Sequence, residues 1–127
     1  MITDADIAFH SPASPGYDWA ETGFFNFYVP EINVLGIVYI VHRAGVGATV
    51  SDVEIIDKVS PSNLGSLYVN LCNHNRLPER AEKFTLESGL TFEATSIRDY
   101  RIRYQSPDVA FDLQFAGIME PYDIHDI

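Results

Sequence analysis

The sequence predicts an all-β protein that folds as an antiparallel sandwich or barrel, and three observations support this. Seven segments rich in β-branched and aromatic residues follow one another along the chain. Gly, Pro, Asn and Asp separate these segments at intervals of roughly 10–15 residues, which is typical of antiparallel β folds. The only segment with a helical pattern, residues 78–83, is short. A chain of 127 residues has the length of one domain.

The seven predicted strands differ in how polar and apolar residues alternate along them. Residues 21–29 are apolar on both faces with one polar insertion in each, which predicts a strand that is covered on both sides or lines a cavity with one face. Residues 34–42 are nearly all β-branched or aromatic, and a glycine-rich turn follows them. The remaining predicted strands are residues 49–56, 67–71, 90–96, 100–105 and 109–118.

The last three strands allow their register to be predicted. A four-residue turn after Tyr104 places Tyr104 opposite Val109 and Arg101 opposite Asp112. A three-residue turn before these strands places Phe92 opposite Tyr104. These turn lengths collect apolar side chains on one face and pair opposite charges on the other, and a slip of one residue would break both patterns.

The composition excludes several classes of function. Eight Lys and Arg against 18 Asp and Glu give a net charge of −10, which disfavours nucleic acids and anionic membrane surfaces. No apolar run is long enough to span a bilayer, and the acidic N-terminus does not resemble a secretory signal. A single cysteine, Cys72, cannot form an internal disulfide. We therefore expect a soluble cytoplasmic protein.

Both ends of the chain have the composition of irregular segments. Residues 1–20 contain Ser, Pro and Gly in place of a regular pattern and are predicted to form a tail or lid. Residues 119–127 are predicted to form a C-terminal tail, and residues 21–118 the β domain between the two.

Glu21 is the first candidate for chemistry. It begins the aromatic strand shortly after Trp19, and a carboxyl group desolvated among aromatic rings would keep its proton near neutral pH. Such a group suits a general acid, whereas the alternative is a solvated glutamate at a strand end.

Two further polar features also have two interpretations. Asn26, between Phe25 and Phe27, either orients a ligand oxygen or hydrogen-bonds a neighbouring strand. Asp112 and Arg101 form either a cross-strand ion pair or, if their face lines the interior, a polar site.

Metal and cofactor motifs are missing from the sequence. Cys72 and His74 do not have a zinc spacing, no second pair of ligands follows, and they are predicted to lie in a polar loop. The glycine pair at Gly45 and Gly47 is not followed by the Lys-Ser/Thr of a phosphate loop. We therefore predict no metal and no cofactor.

Two stretches resemble a known family. Residues 21–30, ETGFFNFYVP, are similar to the opening motif of the lipocalin-like proteins related to carotenoid 1,2-hydratase (hydroxyneurosporene synthase). The segments from Leu90 to Tyr104 and from Val109 to Phe115, and the EPYD at residues 120–123, resemble the paired-strand signature of that family. The resemblance covers about 50 positions in the same order. Gly23 and Val29 depart from the family pattern, which has a large aromatic and an acid there.

The resemblance implies a lipocalin-like β-barrel, usually the first of two similar domains. Members near carotenoid hydratase add water to an isoprenoid double bond without a cofactor. By motif position, Glu21 matches the acid at the strand start and Asp112 the acid of the last signature, which makes both candidate catalytic residues.

The combined prediction is a domain that binds an apolar isoprenoid-, steroid- or polyketide-like molecule and, if it is an enzyme, hydrates or isomerises it. Phe25, Phe27 and Tyr39 are predicted to line the cavity, Asn26 to hydrogen-bond the ligand and Tyr104 to add a hydroxyl group. The alternative is a non-catalytic half-domain that forms a homodimer or pairs with a second barrel.

Overall fold

The computed structural model describes residues 1–58 and 65–123, and it confirms the all-β, antiparallel prediction. Eight strands form two four-stranded antiparallel sheets, and neither sheet closes into a barrel within these residues. The strands are β1 (Glu21–Val29), β2 (Val34–Arg43), β3 (Ala48–Ile56), β4 (Tyr68–Arg76), β5 (Lys83–Thr85), β6 (Leu90–Ala94), β7 (Asp99–Gln105) and β8 (Ala110–Ala116). In this part of the chain, no helix has the length and apolar character needed to cross a membrane.

The chain divides into two compact units, each containing one sheet. The first unit, Ser11–Leu77, contains β1 to β4. The second unit contains β5 to β8 and combines Met1–His10 with Pro78–Ile127, of which residues 124–127, the end of the predicted C-terminal tail, lie outside the described residues. Residues 1–20, predicted as one tail, are therefore shared between the two units.

The sheet of the first unit has one buried face and one exposed face. Strand neighbours follow chain order, β1-β2-β3-β4. Val38, Ile40 and Val53 point to the buried face and are at most 2% exposed. Phe24 and Tyr28 of β1 point to the other face and are 59% and 57% exposed. One of the two alternatives predicted for β1, a strand covered on both sides, is therefore wrong.

The second unit packs its core on one face of the β5-β6-β7-β8 sheet. Leu90, Phe92, Ile102 and Tyr104 alternate along β6 and β7 and are all less than 10% exposed. A one-turn 3₁₀ helix, Asp4–Ile7, belongs to this unit and is capped by Thr3. The Asp4 carboxylate accepts a hydrogen bond from the backbone N–H of Ile97 at 2.9 Å and ties this helix to the β6–β7 turn.

The predicted register of β6, β7 and β8 is wrong by two residues, although the assignment of faces is right. Tyr104 lies opposite Phe111 and not Val109, and Phe92 lies opposite Ile102 and not Tyr104. The β7–β8 turn is closed one residue later than predicted, by hydrogen bonds between Ser106 and Val109. Because side chains alternate with period two, a shift of two residues keeps every side chain on its predicted face.

Two other local predictions are also wrong. Strand β4 continues to Arg76, so Cys72 and His74 lie in a strand and not in a polar loop. Residues 78–82 form bends and irregular backbone that lead into β5, in place of the helical turn predicted for residues 78–83. The polar composition of β4 hid its strand character, since the sequence Asn-Leu-Cys-Asn-His-Asn is poor in β-branched residues.

Candidate functional site

A row of polar side chains crosses one end of the buried face of the first sheet. Glu21 lies opposite His42, His42 opposite Thr49, and Thr49 opposite Asn75, so each of the four strands contributes one residue. His42 is 7% exposed, Thr49 0% and Asn75 1%. Ser51, two residues further along β3, is buried beside them. We call Glu21, His42, Thr49, Ser51 and Asn75 the polar row.

Hydrogen bonds connect the members of the polar row from strand to strand. The His42 Nδ1 atom lies 2.9 Å from the Thr49 hydroxyl oxygen. The Asn75 side-chain amide donates to the Thr49 carbonyl oxygen at 3.1 Å and to the Ser51 hydroxyl at 3.0 Å. Buried polar groups are costly unless they are hydrogen-bonded, so these contacts hold the row in one arrangement.

A β-bulge brings Asn75 into the polar row. The register of β3 and β4 shifts between Thr49 and Ser51, so that Ser51 faces Cys72 while Thr49 faces Asn75. Without the extra residue, strict alternation from Cys72 would direct His74 to the buried face. With it, His74 is exposed and Asn75 is buried.

The residues before β1 cover the Glu21 end of the polar row. One Glu21 carboxylate oxygen, Oε2, accepts hydrogen bonds from the Ser11 hydroxyl at 2.5 Å and from the Trp19 indole N–H at 3.2 Å. The Arg43 guanidinium donates to the Tyr17 carbonyl oxygen at 3.3 Å. A Cβ atom at Gly45 would overlap the Gly16 carbonyl oxygen, so the segment packs directly on the β2–β3 turn. Residues 11–20 are thus part of the site.

His42 is a neutral imidazole at physiological pH. Burial lowers its pKa from 6.5 to about 4, and the negative charge of Glu21 opposes that shift only in part. A neutral imidazole carries one N–H donor and one nitrogen acceptor, so it can accept a proton from a ligand. The polar row therefore places a neutral base next to a carboxyl group.

The structure brings together three of the residues predicted to form the site. Glu21, Phe25 and Phe27 lie at alternate positions of β1 and share the buried face with the polar row. Asn26 and Tyr39 point to the opposite, exposed face, where the Tyr39 and Phe24 rings pack edge to face at 6.0 Å. Asn26 and Tyr39 therefore cannot line one site together with Phe25 and Phe27.

The other two predicted residues belong to the second unit and lie on opposite faces of its sheet. Tyr104 is 2% exposed, and its ring centroid is 5.4 Å from that of Phe111. Asp112 is exposed and accepts two hydrogen bonds from the Arg101 guanidinium, at 2.8 and 3.1 Å. This pairing lowers the pKa of Asp112 and matches the cross-strand ion-pair interpretation.

Sequence reasoning missed most of the polar row. The signal for His42, Thr49 and Ser51 was present, because these residues continue the alternation that buries Val38, Ile40 and Val53. Asn75 carried no such signal, because the bulge reverses its side. Among residues 1–58 and 65–123, no three His, Cys, Asp or Glu side chains form a group that could hold a metal ion.

Comparisons with protein-family models, curated proteins and solved structures find no match to this chain. The resemblance to the carotenoid 1,2-hydratase family therefore stays an expectation.

Proposed function

We propose that the protein binds an apolar small molecule, isoprenoid-, steroid- or polyketide-like, against the buried face of the β1–β4 sheet, with the polar row at the oxygen-bearing end of the ligand. The observation that carries this proposal is the polar row itself, which lies on the same buried face as Phe25 and Phe27. Ligand sites of this kind combine apolar walls with a few fixed polar groups. We also propose that the protein is related to the lipocalin-like hydratases.

The chemistry that the polar row supports is cofactor-free proton transfer. In an isomerisation, a base removes a proton from one carbon and a proton returns to another, so atoms balance without a co-reactant. In a hydration, an acid protonates the double bond, water adds to the cation and a proton is released. Glu21 and neutral His42 supply two adjacent proton acceptors, with Thr49 orienting the imidazole. In an isomerisation one of them removes the proton and, now protonated, returns it to the other carbon, whereas in a hydration Glu21 must first take up a proton before it can act as the acid.

Trp19 offers a direct measurement of binding, because it is the only tryptophan and its indole donates to Glu21. We expect titration with farnesol or progesterone to change its fluorescence in a saturable way and to give a 1:1 complex in native mass spectrometry. If neither probe changes the Trp19 fluorescence and neither gives a 1:1 complex, the proposal is contradicted.

The catalytic part of the proposal is tested with Glu21→Gln. In D₂O, the wild-type protein should introduce deuterium into a substrate that it isomerises or hydrates, while Glu21→Gln should bind the ligand and leave it unlabelled. Glu31→Gln is the matched control, since Glu31 is exposed in the same unit and outside the polar row. Normal labelling by Glu21→Gln would remove Glu21 from the mechanism.

A second function, assembly with another β domain, is favoured by a different observation. The face of the β1–β4 sheet opposite the polar row is apolar and exposed at Phe24, Tyr28 and Leu71. Exposed apolar patches of this kind are typical of protein interfaces.

A further inference from the structure

The exposed face of the first sheet has the size of an interface. Six apolar side chains on it are between 37% and 59% exposed: Phe24, Tyr28, Leu35, Tyr39, Val69 and Leu71. With whole aromatic side chains taken as about 150–250 Å², they present on the order of 500 Å² of apolar surface. Two such faces, with their polar margins, reach the roughly 1,200 Å² at the lower end of stable interfaces.

A carboxyl pair lies in the middle of this face. Asp52 stands between Tyr39 and Leu71 in the register, and Glu54, two residues along β3, is 8% exposed. The Asp52 Oδ1 atom is buried and has no hydrogen-bond partner among the described residues. Burial and the neighbouring Glu54 raise the pKa of Asp52 to about 6.

Two arginines mark one end of the same face. Arg43 and Arg76 both lie opposite Ala48 in the register, and alternation along β2 and β4 directs them to the exposed side. Four residues of strand separate Ala48 from Asp52, or about 14 Å. The face therefore carries an acidic centre and a basic end.

We propose that this face is the interface of a homodimer in which Arg43 and Arg76 of each copy meet Asp52 of the other. The inference builds on the assembly function proposed above and names the partner as a second copy of this chain. Consider a twofold axis that crosses the strands at right angles at the level of Val50. Ala48 and Asp52 are each two residues from Val50, so the axis places Ala48 and its cross-strand neighbours in one copy against Asp52 and its cross-strand neighbours in the other. Packed sheets lie about 10 Å apart, which long arginine side chains can bridge.

The local charges of this face are complementary to those of a second copy. The chain has a net charge of −10, so an arbitrary contact between two copies is repulsive. On this face, the twofold arrangement converts the self-contact into two sets of opposite-charge pairs. The arginine–carboxylate contacts would also satisfy the Asp52 Oδ1 atom, which has no hydrogen-bond partner within residues 1–58 and 65–123.

The arrangement fixes how pH and salt act on the dimer. Arginines from the second copy favour ionised carboxylates, so dimerisation releases protons and becomes tighter as the pH rises from 5 to 8. The other titratable groups on this face are Tyr28, Tyr39 and His74. Raising salt from about 50 to about 500 mM should weaken the dimer through screening.

The test is a charge exchange measured by sedimentation velocity of the full chain at pH 8. Arg76→Glu places two acids opposite each other, and Asp52→Lys places two cations opposite each other, so each variant alone should dimerise at least ~10-fold more weakly than wild type. A mixture of the two variants restores opposite charges at both contacts and should recover wild-type affinity. Arg80→Glu, in the second unit, is the control and should leave the dimer unchanged.

Three results would overturn the proposal. The first is a wild-type chain that stays monomeric up to about 200 µM protomer at pH 8. The second is a dimer that neither single variant weakens, and the third is a mixture that does not recover. Circular dichroism of each variant separates misfolding from loss of contact. The Trp19 titration reads the opposite face of the sheet, so failure of the dimer and failure of ligand binding are distinguished.

Discussion

Replacement of His42 by Gln should change how stability depends on pH, because His42 is buried in its neutral form. The unfolded chain protonates this imidazole near its ordinary pKa of 6.5, and the folded chain only near 4. Between these values the unfolded state binds more protons, so falling pH favours unfolding. The contribution of His42 is therefore fully present above pH 6.5 and is lost as the pH falls towards 4.

The size of the effect follows from the two pKa values. Each pH unit below the unfolded-state pKa of 6.5 stabilises the unfolded chain by about 1.4 kcal/mol relative to the folded chain. The protonation of His42 therefore favours the unfolded chain by about 2 kcal/mol at pH 5 and by almost nothing at pH 7. Glutamine does not titrate, so the variant lacks this loss. The difference in unfolding free energy between wild type and His42→Gln should thus narrow by about 2 kcal/mol from pH 7 to pH 5.

Urea denaturation followed by circular dichroism, repeated at half-unit steps from pH 5 to pH 7.5, measures this difference. His10→Gln is the control, because the His10 side chain is 56% exposed. A difference between wild type and His42→Gln that stays constant within about 0.5 kcal/mol would refute the buried neutral imidazole, and with it the electrostatic description of the polar row.

Three further predictions concern other parts of the chain. Asp52→Asn should stabilise the monomer above pH 6 by about 1 kcal/mol, a value discounted for partial exposure, because the raised pKa of Asp52 makes the folded wild-type protein lose stability as the pH rises from 3.8 to about 6. Denaturation of dilute protein tests this, and a variant less stable than wild type at pH 8 would contradict it. Gly89→Ala should lower the free energy of unfolding by about 1–3 kcal/mol, since a φ of 101° is strained for other residues and the added Cβ would overlap a β7 carbonyl oxygen. Gly47→Ala should lower it less, because Gly47 has a φ of 67° and open space around it, and equal shifts in melting temperature would refute this reasoning. Gly45→Ala should displace residues 11–20 from the β2–β3 turn, which exposes them to proteolysis and shifts the Trp19 fluorescence to the red. Unchanged cleavage and emission would show that the contact between Gly45 and this segment is dispensable.

Alternation predicted which side chains share a face, and it could not predict the register. Phe92 and Tyr104 share one face in the predicted register, and that face is the core of the second unit. Their partners were misplaced by two residues because a shift of two leaves the alternation unchanged. The hydrogen bonds of Ser106 with Val109 that decide the register depend on turn geometry and not on hydropathy.

The sequence by itself determined that the chain forms antiparallel strands and that Glu21, Phe25 and Phe27 share one face of β1. Both follow from local composition and from the period of two residues. Which face of the aromatic strand is buried was left open, because both faces are apolar. The tertiary structure decided that point, and the β-bulge in β4 brought Asn75 into the polar row. Burial and cross-strand contacts depend on neighbours distant in sequence, so the polar row on one face and the carboxyl pair and arginines on the other became visible only in the folded sheet.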